Sequence, residues 1–167
     1  TKDYINESHP IHKTIQINIE KIAGVKASNY VIDGCSLPTP YFDLCALARM
    51  YMALISAPNK TPLGRVSHSM KTHPEMISGE KGFDTILMKA LKGNAISKGG
   101  AEGMQAVAIK IKTNQYISLA LKVSDGNHRA NHISCVRILE YLKIINKTTV
   151  KEILESIEPN QYNLNKI

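Results

Sequence analysis

Tryptophan is absent from this 167-residue sequence, and aromatic residues make up 5% of it. A single-stranded nucleic-acid binder needs aromatic rings interleaved with cations as stacking platforms, and that interleaving is missing. The net charge of +7 is therefore not a nucleic-acid signal: the lysines are scattered, without a dense basic block, and no nucleic-acid partner is expected. No apolar run approaches the roughly 20 residues of a membrane-spanning helix, so no membrane partner is expected either. The opening residues, Thr1-Lys2-Asp3-Tyr4, lack the apolar segment of a secretory leader, and a cytoplasmic location is the expectation. Cysteine is scarce. Cys35, Cys45 and Cys135 form no C-x-x-C pair and are odd in number, which argues for reduced thiols over a disulfide framework. Cys45 and Cys135 fall in apolar stretches and are expected in the core. The sequence has no initiator methionine, internal repeat or low-complexity tract. It is expected to be a processed chain or a portion of a longer one.

What is present is enough for one folded domain spanning 1–167: 43% of the residues are hydrophobic, and the length supports a real core. Ser8 as a cap, Pro10 in the first turn and Ile11, Ile15, Ile19 and Ile22 at helical spacing predict a first helix, closed by Gly24. Tyr30-Val31-Ile32 reads as a short strand running into a turn-rich loop over 33–40. A strongly apolar helix, buried on most faces, is predicted over 41–56, then a loop over 58–62 and a helix over 63–71. Helices are further predicted over 83–91, 129–145 and 149–157, the last capped by Thr148 or Thr149. The polar tail from Glu158 is expected to fray. Two strands, 104–112 and 116–123, complete the reading. The fold class is α+β, with helices packed on a small antiparallel sheet.

The run Lys98-Gly99-Gly100-Ala101-Glu102-Gly103 carries the most chemical information. It is read as opening the 104–112 strand, with 95–97 as a short strand entry. A lysine followed by two glycines sets an ammonium beside a backbone stripped of side chains, which a substrate can approach closely. Gly99 and Gly100 could offer backbone N–H groups to a substrate carbonyl; the alternative is a β-bulge. Lys98 could move a proton or balance charge, or be a solvated lysine at a strand end. Glu102 could orient Lys98 or hold a substrate amino group, or be a strand-edge charge. Asp33-Gly34-Cys35-Ser36 could aim a carboxylate and a thiol into a cleft, or form a turn in which Asp33 holds the backbone. Arg129 and Asp125 could support a pocket or belong to a helix start. His128 and His132 share a helix face but lack an intervening carboxylate in H-E-x-x-H style, so no metal is expected there.

Seven segments, in order, resemble one family: Ser8-His9-Pro10, Asp33-Gly34-Cys35-Ser36-Leu37-Pro38-Thr39, Leu47-Ala48-Arg49, His73-Pro74-Glu75-Met76-Ile77-Ser78-Gly79, Phe83-Asp84-Thr85-Ile86-Leu87-Met88, the Lys98 to Gly103 run, and Lys122-Val123-Ser124-Asp125-Gly126-Asn127-His128-Arg129-Ala130. Each is weak alone; together they look like the C-terminal half of the L-asparaginase II family, the Rhizobium-type asparaginases with a β-lactamase/glutaminase-like fold. The resemblance implies an amidohydrolase acting on L-asparagine through a Ser/Lys acyl-enzyme, with Lys98 in the catalytic group. It implies a pocket drawn from Asp33, Gly34, Ser36, Gly99, Gly100, Glu102 and Arg129. No cofactor is required by this chemistry. In some members zinc is bound by the residue matching Cys35 together with a cysteine and a lysine of another segment. The family's S-x-x-K and Cys-Ser-Gly-Lys segments are expected outside this chain, which alone would then be inactive. His12 also departs from the family, which commonly has glutamine there. The expected partners are a small amino-acid amide and either the N-terminal portion or a second copy in a homodimer. The rival expectation is an inactive remnant that binds a small amino acid or a partner chain.

Overall fold

The computed structural model describes residues 3–157, with the backbone alone at Arg129. The fold class is α+β. In chain order the elements are α1 (Pro10–Ala23), β1 (Tyr30–Ile32), β2 (Pro38–Pro40), α2 (Leu44–Ser56), α3 (Pro62–Thr72), α4 (Glu75–Ser78), α5 (Phe83–Ala90), β3 (Ala95–Gly100), β4 (Met104–Lys112), β5 (Gln115–Lys122), a 3-10 turn (His128–Ala130), α6 (Asn131–Tyr141) and α7 (Lys147–Ile157). β1 and β2 form a separate antiparallel hairpin, while β3, β4 and β5 form an antiparallel sheet in that order.

The sheet separates two helical layers. Antiparallel partners share a face, so the pairs Ala95–Ile109, Ser97–Val107 and Gly99–Gln105 look one way and Ile96–Ala108 and Lys98–Ala106 the other. The first face packs Val107 and Ile109 against Phe83 and Leu87 of α5, Cys135, Val136 and Leu139 of α6, and Val150 and Ile153 of α7. The second packs Ile96 and Ala108 against Ile55, Tyr51 and Leu54 of α2. Leu87, Ile96, Leu139 and Ile153 are all buried to within 1%, each stabilising the fold by roughly 1.5–3 kcal/mol.

Several expectations are corrected. His9, not Ser8, caps α1: its ring accepts the Ile11 amide at 3.2 Å, and Ser8 turns instead to Asn6. Residues 38–40 of the expected loop pair with β1. α2 starts at Leu44 because Asp43 caps it, accepting the Ala46 amide at 2.6 Å. Of its residues only Ala46 and Ile55 are fully buried, and Cys45 is exposed, unlike Cys135. The long helix over 129–145 is shorter, ending at Tyr141 after a 3-10 start. Asn146 takes the capping role at α7, accepting the Thr149 amide at 2.9 Å. The tail from Glu158 lies outside the described residues. No described helix is long and apolar enough to cross a membrane.

Candidate active site

Lys98 lies near the end of β3, a strand of its own at the edge of the sheet, and not at the start of the 104–112 strand. The polypeptide then turns through 101–103, with Gly103 at φ 68°. A Cβ at Gly103 would stand 2.8 Å from Val123 Cβ, so the tight turn between β3 and β4 requires glycine there. Lys98 is exposed on the α2 side of the sheet. Its Nζ donates to the Gly99 carbonyl.

Behind Lys98, on the opposite face, sits a buried carboxylate. Asp84, in the first turn of α5, is 5% exposed. Its Oδ1 accepts from Ser97 Oγ at 2.6 Å and from Gln105 Nε2 at 2.7 Å. Its Oδ2 accepts the Gly99 amide at 2.9 Å. Gln105 Nε2 also donates to Ser97 Oγ at 2.9 Å. The residues before and after Lys98 are thus held by the two oxygens of one carboxylate. Among the described residues no lysine or arginine pairs with it; the hydrogen bonds satisfy it instead, as a buried carboxylate requires. This network also revises one expectation: the Gly99 N–H is spent on Asp84 and does not face a substrate carbonyl. Asp84, Ser97 and Gln105 escaped the sequence reading. The signal was a polar residue inside an apolar stretch, Ser97 and Gln105 in strands and Asp84 in a helix, since a polar side chain in a core must find a partner.

Asp33, Gly34, Cys35 and Ser36 form the loop joining β1 to β2. Asp33 Oδ1 accepts the Cys35 amide at 2.7 Å, and the Ser36 amide donates to the Asp33 carbonyl at 3.0 Å. The left-handed position of this loop is Ser36, at φ 66°, and Gly34 has no such angle. The Cys35 thiol donates to Asp33, which pushes the thiol up from its ordinary 9.0. The same hydrogen bond, with that of the Cys35 amide, lowers Asp33 from 3.8. A cavity of about 520 Å³ lies between this hairpin and α1, with Glu7, His12, Gln16, Asp33, Cys35 and Thr39 on its walls. Neither Lys98 nor its glycines line it. Among the described residues no three His, Cys, Asp or Glu side chains gather as a metal site. Cys35 by itself does not make a zinc site, which needs several ligands.

Glu102 occupies the turn between β3 and β4 at φ 59°. A Cβ added at Gly126 would stand 2.5 Å from Glu102 Oε2, so this carboxylate lies beside the loop after β5, while Lys98 turns to Gly99. Lys122 Nζ ties the two loops, donating to the Glu102 and Val123 carbonyls. Asp125 accepts the Asn127 amide at 2.9 Å, a turn-holding role. Arg129 belongs to the 3-10 turn, and its side chain is outside the described atoms. His132 stacks on Phe83 with centroids 4.3 Å apart.

One serine–lysine spacing does occur, Ser78-Gly79-Glu80-Lys81. It does not form a helical S-x-x-K. Ser78 ends α4, and Gly79 follows at φ 73°, breaking the helix before Lys81. Ser78 Oγ accepts the Thr85 amide at 3.3 Å, joining α4 to α5. Ser67, on α3, is 1% exposed and sealed from solvent.

The family model described as L-asparaginase II matches residues 1–167. A search of curated proteins finds no match.

Proposed function

Because this chain belongs to the L-asparaginase II family, we propose that it carries the lysine arm of an amidohydrolase site cleaving the side-chain amide of L-asparagine. The products are L-aspartate and ammonia. A serine oxygen attacks the amide carbon, the C–N bond breaks, and the nitrogen leaves as ammonia after taking up a proton. Water then cleaves the resulting ester. Lys98 relays the serine hydroxyl proton to the departing nitrogen, and while it carries that proton its charge faces the developing oxyanion. The serine is proposed to come from outside this chain, either from further polypeptide or from a second copy. The pocket would draw on Gly100 and the Asp33–Ser36 loop as that partner brings them together. Zinc at Cys35 would need ligands from the same partner, and no step above runs through a metal.

The observation that carries this reading is the placement of Lys98: exposed, on an edge strand, flanked by a glycine backbone and fixed from behind. Ammonia release from L-asparagine, measured on the protein assembled with its serine-bearing partner and on the same assembly carrying Lys98→Ala, is the test. General acid–base groups contribute about 10²–10⁴-fold, and a loss in that range on Lys98→Ala supports the role. Equal rates in the two proteins would sink it.

One observation favours a second reading, a non-catalytic module binding a small amino acid. Among the described residues no hydrogen bond joins a serine hydroxyl to a lysine; Ser78 is tied to Thr85 and Ser97 to Asp84. Calorimetric binding of L-asparagine without ammonia release, persisting when the remaining polypeptide is supplied, would select it over the enzyme.

A further inference from the structure

We infer that Asp84 is a positioning residue for Lys98, acting through the strand backbone from the far face of the sheet. The inference rests on the proposed role of Lys98 for its catalytic consequence, though not for its geometry.

An edge strand is held by a neighbour on one side only, and its end is the part most free to fray. β3 ends in two glycines, which add backbone freedom where Lys98 would have to stay fixed. Ordinary pairing to β4 is therefore weakest at the position where precision matters most. Asp84 supplies a second tether. Oδ1 holds the Ser97 hydroxyl and Oδ2 holds the Gly99 amide, so rotation of the Lys98 peptide units is opposed on both sides. The tether comes from α5, whose Phe83 and Leu87 are anchored in the core, so the carboxylate has a rigid base. Gln105 braces it from β4 through Asp84 and Ser97. A Cβ at 99 would stand 3.4 Å from Gln105 Oε1 and 3.6 Å from Asp84 Oδ2, ordinary contact distances, so the clamp itself does not demand glycine there.

Three hydrogen bonds to one buried carboxylate make a strong clamp, but strength does not distinguish a positioning role from a structural one. The experiment therefore reads Lys98 itself. Asp84→Asn keeps the shape and removes the charge; Ser97→Ala removes one strut and leaves the carboxylate. Three quantities are measured: hydrogen exchange at the Gly99 amide, the NMR signal of ¹³C-dimethylated Lys98 (assigned by its loss in Lys98→Ala), and kcat and KM for ammonia release with the complete protein.

In Asp84→Asn the Gly99 amide is expected to exchange at least about tenfold faster, as local opening becomes easier, and the Lys98 signal to shift. On the order of a tenfold fall in kcat is expected, with KM within twofold, because small misplacements of a catalytic group cost rate more than binding. Unchanged Gly99 exchange and an unchanged Lys98 signal overturn the inference whatever the activity. Movement of both, in a protein whose parent releases no ammonia, supports the positioning role and removes the asparaginase reading. An equal rise in KM and fall in kcat with no Lys98 shift marks a merely structural residue and overturns the inference. If Asp84→Asn does not fold, Ser97→Ala decides: a shifted Lys98 signal supports the clamp, and an unshifted one overturns it.

Discussion

Asp33 and Cys35 hold each other in opposite protonation states: the carboxylate accepts both the amide and the thiol hydrogen of Cys35. The pair shapes the β1–β2 loop and keeps an exposed thiol in its neutral form. Asp33→Asn is expected to accelerate alkylation of Cys35 severalfold near pH 8, with Cys45 unaffected, as followed by peptide mass spectrometry. The thiolate is the reacting species, so an unchanged Cys35 rate contradicts the hydrogen bond. The acid side has a defined sign. Asp33 is lowered from 3.8, so its hold on the loop is complete above that value and is lost as pH falls through the lowered one.

At the other end of the scale, burial first and the Asp84 charge second push the Cys135 thiol and the Tyr51 hydroxyl up to about 12, from 9.0 and 10.0. The unfolded chain releases these protons first. Stability is therefore complete below about pH 9 and falls as pH climbs through about 12. Urea midpoints recorded from pH 8 upward are expected to decline over that interval, and Cys135→Ala to flatten the decline. In the native protein at pH 8, a thiol reagent should titrate Cys35 and Cys45, with Cys135 appearing only on denaturation.

Gly64 of α3 lies against the preceding loop: a Cβ would fall 1.9 Å from the Pro58 carbonyl oxygen and 2.5 Å from its carbon. Backbone cannot yield as a side chain can. Gly64→Ala is expected to destabilise by about 1–3 kcal/mol, read as a thermal shift of roughly 2–4 °C per kcal/mol. Gly34→Ala is the control. Nothing lies within 4 Å of a Cβ there, and its stability should stay within about 0.5 kcal/mol of the parent.

Ser78→Ala separates sequence spacing from geometry. Losing the hydroxyl that accepts the Thr85 amide should cost about 1 kcal/mol, while ammonia release by the complete protein stays within twofold. Loss of activity without loss of stability would make Ser78 the nucleophile after all.

Most of the elements were legible in the chain because their signals are local. Pro10 with Gly24 bracket α1, alternation marks β4, and the lysine–glycine run stands out by composition alone. Caps were less legible. His9 competes with Ser8, and Asn146 with Thr148 and Thr149, and the approach angle of the chain decides between them. The loop after β1 shows the same limit: glycine adopts a left-handed angle most readily, yet Ser36 and not Gly34 takes it. Cys45 was misplaced because an apolar helix says which residues are greasy, not which side of it is covered.

The sequence by itself determined the α+β class, the family, and the presence of a lysine beside an unobstructed backbone. Short-range sterics and periodicity express the class, and the order of the seven segments carries the resemblance to the family. Tertiary structure alone decided that β3 stands at the sheet edge, that Asp84 on α5 reaches through to both neighbours of Lys98, and that the Cys35 hairpin has its own cavity. Each joins residues far apart in the chain or depends on which faces are covered, and no local preference encodes a contact that only packing creates.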